Sequence, residues 1–373
     1  MDQVMGPSKL KATLEGKEDR INNLPDSVLT IILSRLPTRY AVATSALSSR
    51  WKNLWTTIDS FEFDDVSLIL RMESKDYVEG FPWFVKRVLQ RCDAKNIRRF
   101  RLGYHGYENS VFINTCILFA VSRNVQELEL NVLNWRRYLK FPSEFFTCVS
   151  LKKLKIEIDT LFDVPFLSDT FPNLKSLHIQ FKFPNTRFCR KLLSACPKLE
   201  DLVVDAGPRY WELLQYRGYG YKITAQYLLD NMLICPEYCF LNLARLEITI
   251  SDFVVRNMLP VFLRASPELN VLILRMEHTE NPDANFTEAF DSEWNAWVRE
   301  EVPLCLLKGL REVKIKSYQD RFRERKTIEY LLDCSKVLQK MSVYVVKPGI
   351  KLQVSQWISE VPRASKNCQL KVA

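Results

Sequence analysis

Histidine and glycine are scarce in this chain, with 3 and 10 among 373 residues. So little glycine leaves no G-x-x-x-x-G-K-[ST] or G-x-G-x-x-G run to cradle a phosphate, and the lone Gly218-Tyr219-Gly220 reads as a turn. There is no G-x-S-x-G elbow for a nucleophilic serine. The acidic pairs Asp64-Asp65 and Glu300-Glu301 are adjacent in sequence, a poor arrangement for an acid facing a base, and read as solvated charge. Cys235 and Cys239 have a metal-like spacing, but no second cysteine pair or histidine cluster follows at zinc-site distance. The ten cysteines show no tight pairing, which argues against a disulfide scaffold. No stretch approaches the roughly 18 uncharged apolar residues of a membrane span, and the polar first 18 residues do not resemble a signal peptide. These absences call for no metal, no cofactor and no membrane. They suggest a non-enzymatic protein of the nucleus or cytoplasm.

What is present is apolar mass and mild positive charge. Hydrophobic residues make up 47% and charged residues 26%, enough for a sizeable core and more than one domain. The formal charge of +9 favours acidic partners. Yet the basic clusters Arg98-Arg99-Phe100-Arg101, Arg136-Arg137 and Arg321 to Lys326 accompany no nucleic-acid-binding signature, so solvated faces are the better reading.

The densest signal runs from Asp19 to Trp55. Pro25 suits a helix start. Val28, Leu29, Ile31, Ile32, Leu33 and Leu36 load the helix after it with more apolar surface than one face can use. Pro37 ends that helix, Thr38 can cap a second over Arg39 to Leu47, and Ser48 a third carrying Trp51, Leu54 and Trp55. A unit this short needs further burial partners. Asp19-Arg20-Ile21, Leu24-Pro25-Asp26, Ile32-Leu33-Ser34, Leu36-Pro37, Ala41 to Thr44 and Leu47-Ser48 through Arg50-Trp51-Lys52-Asn53-Leu54-Trp55 resemble the plant F-box. The chain departs from that pattern at Ser27, where an acidic residue is common, and at Ser49, where a basic one is usual. The resemblance implies docking on a Skp-type adaptor and, through it, a cullin. The residues expected to serve it are Leu24, Pro25, Val28, Leu29, Ile32, Leu33, Leu36, Leu47, Trp51, Leu54 and Trp55. Leu24, Pro25, Leu29, Ile32 and Leu33 are expected to face outward, with the tryptophans partly inward.

Beyond it come an alternating strand signal at Phe61 to Asp65 and a helix signal over Pro82 to Cys92. A unit apolar-x-x-apolar-x-apolar then recurs nine times, first at Ile97-Phe100-Leu102 and last at Leu338-Met341-Val343. Most spacings are 23 to 28 residues. A gap of 44 leaves room for a degenerate unit at Gly218-Tyr221-Ile223, and one of 41 holds the acidic insertion Glu277 to Glu301. Such periods belong to a leucine-rich-repeat solenoid, whose short strands bury their inward side chains only by stacking on neighbours. Cys148, Cys196 and Ser266 each stand three residues before a unit's first Leu, which suggests small buried turn residues.

Positions 3, 5 and 7 of each unit then point outward on one ladder. Arg99, Arg101, Lys153, Lys155, His178, Arg245, Val271, Ile273, Arg275 and Lys314 are the candidates there for holding an unknown protein target, with Val271 and Ile273 expected to be exposed. At the end, Glu301-Val302-Pro303-Leu304-Cys305-Leu306, Leu310 to Ile315, and Arg325 to Met341 resemble the plant FBD module. Relatives often place a Gly in the turn that here reads Ser317-Tyr318-Gln319-Asp320.

The expected architecture is α/β: a flexible tail (1–18), a three-helix F-box (19–60), an irregular leucine-rich-repeat solenoid with parallel strands (61–300), and an FBD module continuing the repeats (301–373). The resemblances imply the substrate-recognition subunit of a Skp–cullin–F-box ubiquitin ligase. The alternative is a repeat scaffold whose F-box-like helices only cap the solenoid.

Overall fold

The computed structural model describes residues 21–66, 74–106, 109–133, 139–158, 170–181, 196–206, 240–251, 259, 262–277 and 301–373. The tail 1–18, the unit at Gly218-Tyr221-Ile223 and the pair Cys235 and Cys239 lie outside them.

One parallel sheet of eleven strands runs through the described chain in strict sequence order. Its strands are β1 (Ser60–Asp64), β2 (Arg99–Tyr104), β3 (Glu127–Val132), β4 (Lys153–Ile158), β5 (Ser176–Phe181) and β6 (Asp201–Ala206). They continue as β7 (Arg245–Ser251), β8 (Val271–Glu277), β9 (Glu312–Tyr318), β10 (Lys340–Val345) and β11 (Gln369–Val372). Each of the nine apolar units supplies one strand, β2 to β10. Pairing is parallel throughout, and equivalent unit positions face each other: Arg99 opposes Glu127, Glu127 opposes Lys153, and so on to Lys340 and Gln369.

The repeat is enforced by one hydrogen-bond device. The carbonyl of position 2 accepts from the N–H groups of positions 2 and 3 in the next unit, as Gln126 O does from Lys152 (2.8 Å) and Lys153 (3.0 Å). Arg311 O does the same for Gln339 (2.8 Å) and Lys340 (3.0 Å). Positions 1 and 4 are buried in all nine units, so each strand covers its neighbour's apolar edge. Fully burying each such side chain is worth about 1.5–3 kcal/mol, which a lone strand could not collect. Cys148, Cys196 and Ser266 are buried where the chain turns into the strand, and the Leu199 and Leu269 N–H groups close that turn on Cys196 and Ser266 (3.2 Å each).

β6 pairs directly with β7, in register from Asp201 and Arg245 to Val204 and Ile248. One expectation needs correction. The helix expected at Pro82 starts earlier: α3 spans Ser74–Arg91 with Pro82 inside it. Val85, Val88 and Leu89 still face the core.

The N-terminal module is α1 (Asp26–Leu33), α2 (Thr38–Ala43), and the 3-10 turns Thr44–Ala46 and Trp51–Thr57. The second helix is therefore shorter than expected and the third is a 3-10 segment. Pro25 and Pro37, not Thr38 or Ser48, precede the helices. Thr38 has another task. It is buried, and its Oγ1 accepts a 2.8 Å hydrogen bond from the Glu62 N–H of β1, covering the sheet's first edge.

At the other end, after α4 (Ser110–Ser122) and α5 (Ser143–Phe146), lie α6 (Leu304–Lys308), α7 (Phe322–Cys334) and α8 (Lys351–Glu360). The β9–α7 turn puts Ser317 at φ 60 and Asp320 at φ 65, both left-handed. A left-handed backbone is one that glycine adopts without the steric cost a side chain brings. A register shift between Val343 and Val345 places a bulge in β9 at this point. Asp320 is held there by Tyr318 OH (3.0 Å) and Arg325 (2.6 Å), which also stacks on Trp357.

Candidate functional site

The F-box-like helices have two faces. Leu29 and Leu33 are 0% and 1% exposed, and Trp51, Leu54 and Trp55 are buried with them in the chain's own core. This corrects the expected outward position of Leu29 and Leu33. These five residues offer no surface to a partner in the free protein. The reason is helical phase: Leu29 and Leu33, four apart, share the face turned toward the tryptophans. Leu24 is half-buried against the same core, while Pro25 is exposed.

The other face of α1 is uncovered. Val28, Ile31 and Ile32 are 37%, 59% and 43% exposed, with Leu36, Tyr40 and Leu47 also open. Ile31 and Tyr40 were not among the docking residues expected from sequence, although Ile31 belongs to the apolar load of this helix and lies three residues from Val28, one turn along the same stripe. The loop before α1 is fixed by Arg50, whose guanidinium donates to Asp26 Oδ1 (2.6 Å) and to the Asn22 and Leu24 carbonyls. Trp51 Nε1 donates to Asn22 Oδ1 (3.0 Å). The open stripe is thus held on a fixed frame.

The second surface is the outward ladder of the sheet. Strand register aligns position 5 as Glu62, Arg101, Glu129, Lys155, His178, Val203, Glu247, Ile273, Lys314, Ser342 and Lys371. Two carboxylates gather most of the cations. Glu129 meets Lys155 (3.0 Å), Arg99 (3.1 Å) and Arg101 (3.6 Å). Glu247 takes Arg245, Lys316 (2.9 Å) and Arg275 (3.2 Å). Burial works against the charge of each carboxylate, but the lysine and arginine partners outweigh it and hold both below the usual range. Lys153 pairs with Glu127 (3.2 Å) and Lys314 with Glu312 (3.1 Å). Every cation nominated from sequence on this face is therefore ion-paired.

Ile273 is 4% exposed, which corrects its expected exposure. The Lys316–Glu247 pair bridges β9 and β7 across β8 and roofs it over, and Val271 is half-buried. Sequence alternation correctly points Ile273 away from the apolar core, but cannot see a bridge spanning two strands. His178 lies half-buried between the two carboxylate centres, and burial lowers its pKa. Among the described residues its buried Nε2 has no hydrogen-bond partner, and neither have Asn131 Oδ1 and Ser342 Oγ on the same face.

Among the described residues, one group has the composition of a metal site: Asp64, Asp65 and His105, with ligand atoms within 4.8 Å of one another. Its carboxylates are already engaged. Asp65, fully buried and so not the solvated charge expected, accepts from the His105 backbone N–H (2.7 Å) and meets His105 Nδ1 (2.6 Å). Asp64 accepts from the Val66 N–H (2.9 Å) and sits 3.5 Å from Arg101. The arrangement clamps the ends of β1 and β2. No helix among the described residues is long and apolar enough to cross a membrane.

Comparison with known proteins gives these surfaces a context. Residues 21–63 match the F-box domain family, and residues 299–343 match the FBD family. Residues 115–219 match a family described as the LRR repeats of FBD-associated F-box protein At5g56370. The chain is 28% identical to the F-box/FBD/LRR-repeat protein At3g52680 of Arabidopsis thaliana, over 95% of this chain and 93% of that protein. It is 27% identical to the FBD-associated F-box protein At3g52670 of the same plant, over 95% and 97%. With the F-box protein At3g62430, also from Arabidopsis, it shares 35% identity over 50% of this chain and 43% of that one. The chain is a homologue of the Arabidopsis F-box/FBD/LRR-repeat proteins, carrying an F-box, leucine-rich repeats and an FBD module in that order.

Proposed function

We propose that this chain is the substrate-recognition subunit of a Skp–cullin–F-box ubiquitin ligase working in the nucleus or cytoplasm. The observation that carries the proposal is the uncovered stripe Val28, Ile31, Ile32 and Leu36, lying within the segment that matches the F-box family. An F-box implies binding to a Skp-type adaptor in general, and F-box/LRR proteins are generally non-catalytic adaptors. The stripe inserts into the adaptor, and a protein target is held on the outward ladder of the repeats and the FBD module. The mechanism is positioning: tethering raises the effective concentration of a target lysine near a conjugating enzyme carried by other subunits. The buried atoms of Asn131, His178 and Ser342 that have no hydrogen-bond partner among the described residues support a ladder that receives hydrogen-bonding groups from outside.

A second reading has its own observation. Thr38, Trp55 and Ile58 seal the first edge of the solenoid, as a cap would. Co-elution with a purified Skp-type adaptor separates the two. The wild-type chain co-elutes, and a Val28→Asp, Ile32→Asp variant, altered only on the open face, stays folded and elutes alone. A wild-type chain that never associates with the adaptor leaves the scaffold reading standing.

A further inference from the structure

Resting on the reading that a target is held on the sheet's outward face, we infer that the face of β9–β11 around Ser342 binds a short acidic segment of the target. Charge is the first ground. Residues 301–373 hold fifteen Lys and Arg against seven Asp and Glu, a net +8, whereas the 300 residues before them carry +1. On the outward face of β9–β11 the imbalance is local. Lys314 and Lys371 stand in register on either side of Ser342, and Lys340 precedes it by two residues on its own strand. One carboxylate, Glu312, answers both Lys314 (3.1 Å) and Lys340 (3.6 Å). Lys371 is exposed and makes no ion pair among the described residues. Farther up the ladder Glu129 and Glu247 gather three cations each, so the surplus lies at this end.

The second ground is Ser342 itself. It is 1% exposed although its strand position turns it outward, and its Oγ has no hydrogen-bond partner among the described residues. A hydroxyl flanked in register by lysines and left unpaired among the described residues can donate to a carboxylate that enters among them. Tyr344, next outward on β10 and 38% exposed, adds a flat apolar surface beside it.

The extent of the patch selects the ligand. Three strands span about 10 Å, room for two or three carboxylate side chains of an extended peptide. A nucleic acid tracks a longer basic stripe. Its backbone would meet Glu312, Glu247 and Asp201 as it continued along the sheet.

The test is fluorescence anisotropy with the full chain and labelled octaglutamate, octaglutamine and an eight-nucleotide oligo-dT. Octaglutamate should bind and octaglutamine should not. Lys314→Gln with Lys371→Gln should weaken octaglutamate binding by roughly tenfold or more. Ser342→Ala should weaken it by about threefold with no loss of Tm. Lys175→Gln with Lys198→Gln removes the same charge elsewhere and should change binding less than about twofold, allowing for screening. Equal weakening by both lysine pairs would reduce the effect to net charge and overturn the inference. Tighter, Lys314- and Lys371-dependent binding of oligo-dT would overturn it in favour of nucleic acid. Adaptor co-elution on the same preparations separates the two proposals. A chain that binds adaptor but not octaglutamate refutes only the acidic-segment site, and the converse refutes only the ligase reading.

Discussion

The two faces of α1 make opposite demands on neighbouring residues, and the contrast can be measured. Leu29 is fully buried, so Leu29→Ala deletes core atoms and leaves a cavity, at a cost of about 2–5 kcal/mol. Val28, Ile31 and Ile32 are 37%, 59% and 43% exposed, so what an adaptor can still bury is that remainder. At about 1.5–3 kcal/mol for a fully buried aliphatic side chain, the exposed part of Ile32 is worth roughly 0.6–1.3 kcal/mol, or about 3- to 10-fold in affinity. The three together reach about 2–4 kcal/mol, roughly 30- to 1,000-fold. Urea unfolding and titration calorimetry against a purified Skp-type adaptor read the two quantities separately. Leu29→Ala should lower the unfolding free energy while the folded fraction binds adaptor within a few-fold of wild type. The Val28→Ala, Ile31→Ala, Ile32→Ala variant should keep most of its stability and lose the affinity. Adaptor binding unchanged in the triple variant would refute the assignment of this face. So would a Leu29→Ala protein of native stability that has lost binding, since Leu29 would then have to leave the core on docking.

Thr38→Val removes the acceptor of the Glu62 N–H and should destabilise the chain by about 1–3 kcal/mol, read from the shift in urea midpoint. The histidines give pH dependences of opposite sign. The Asp65 carboxylate bonded to His105 raises its pKa above the ordinary 6.5, so its contribution is full below 6.5 and fades as pH rises through the raised value. Asp65→Asn should flatten unfolding free energy against pH above 6.5. Burial keeps His178 neutral, so stability falls as pH drops from 6.5 toward its lowered value, and His178→Gln should flatten that side of the curve. Ser317→Gly relieves a left-handed serine and should raise stability by about 1 kcal/mol, measured as an increase in Tm.

The repeat was legible because it is local. Each unit writes its inward residues at fixed offsets, and strand register follows once neighbouring units stack. The outward ladder was legible as a row of positions, but its exposure was not. Ile273 is covered by Lys316 and Glu247, residues 43 and 26 positions away that the solenoid brings to either side of it. Asp65 was misread for a similar reason. An adjacent acidic pair suggests solvent, and only the return of β2 beside β1, 40 residues later, brings His105 to bury it. On α1 the apolar excess was visible, but its division between faces was not. Phase alone says that Leu29 and Leu33 lie apart from Val28 and Ile32, and it leaves open which pair turns toward the tryptophans.

That division bears on the choice between a cap and a docking element, because one helix can serve as both. Leu29, Leu33 and the tryptophans use one side of the module to seal the sheet, and Thr38 satisfies an N–H at its edge. A cap alone needs a polar outer face for solubility. Here the outer face carries Val28, Ile31, Ile32, Leu36, Tyr40 and Leu47, all open, on a loop frame fixed by Arg50. An exposed apolar stripe is a cost that capping does not explain and that burial by a partner does. The covered side also ties the docking element to the first strand of the solenoid. A target bound along the ladder would therefore be held at a fixed orientation to the adaptor rather than on a loose tether, which is what delivery of a lysine to a distant conjugating enzyme requires.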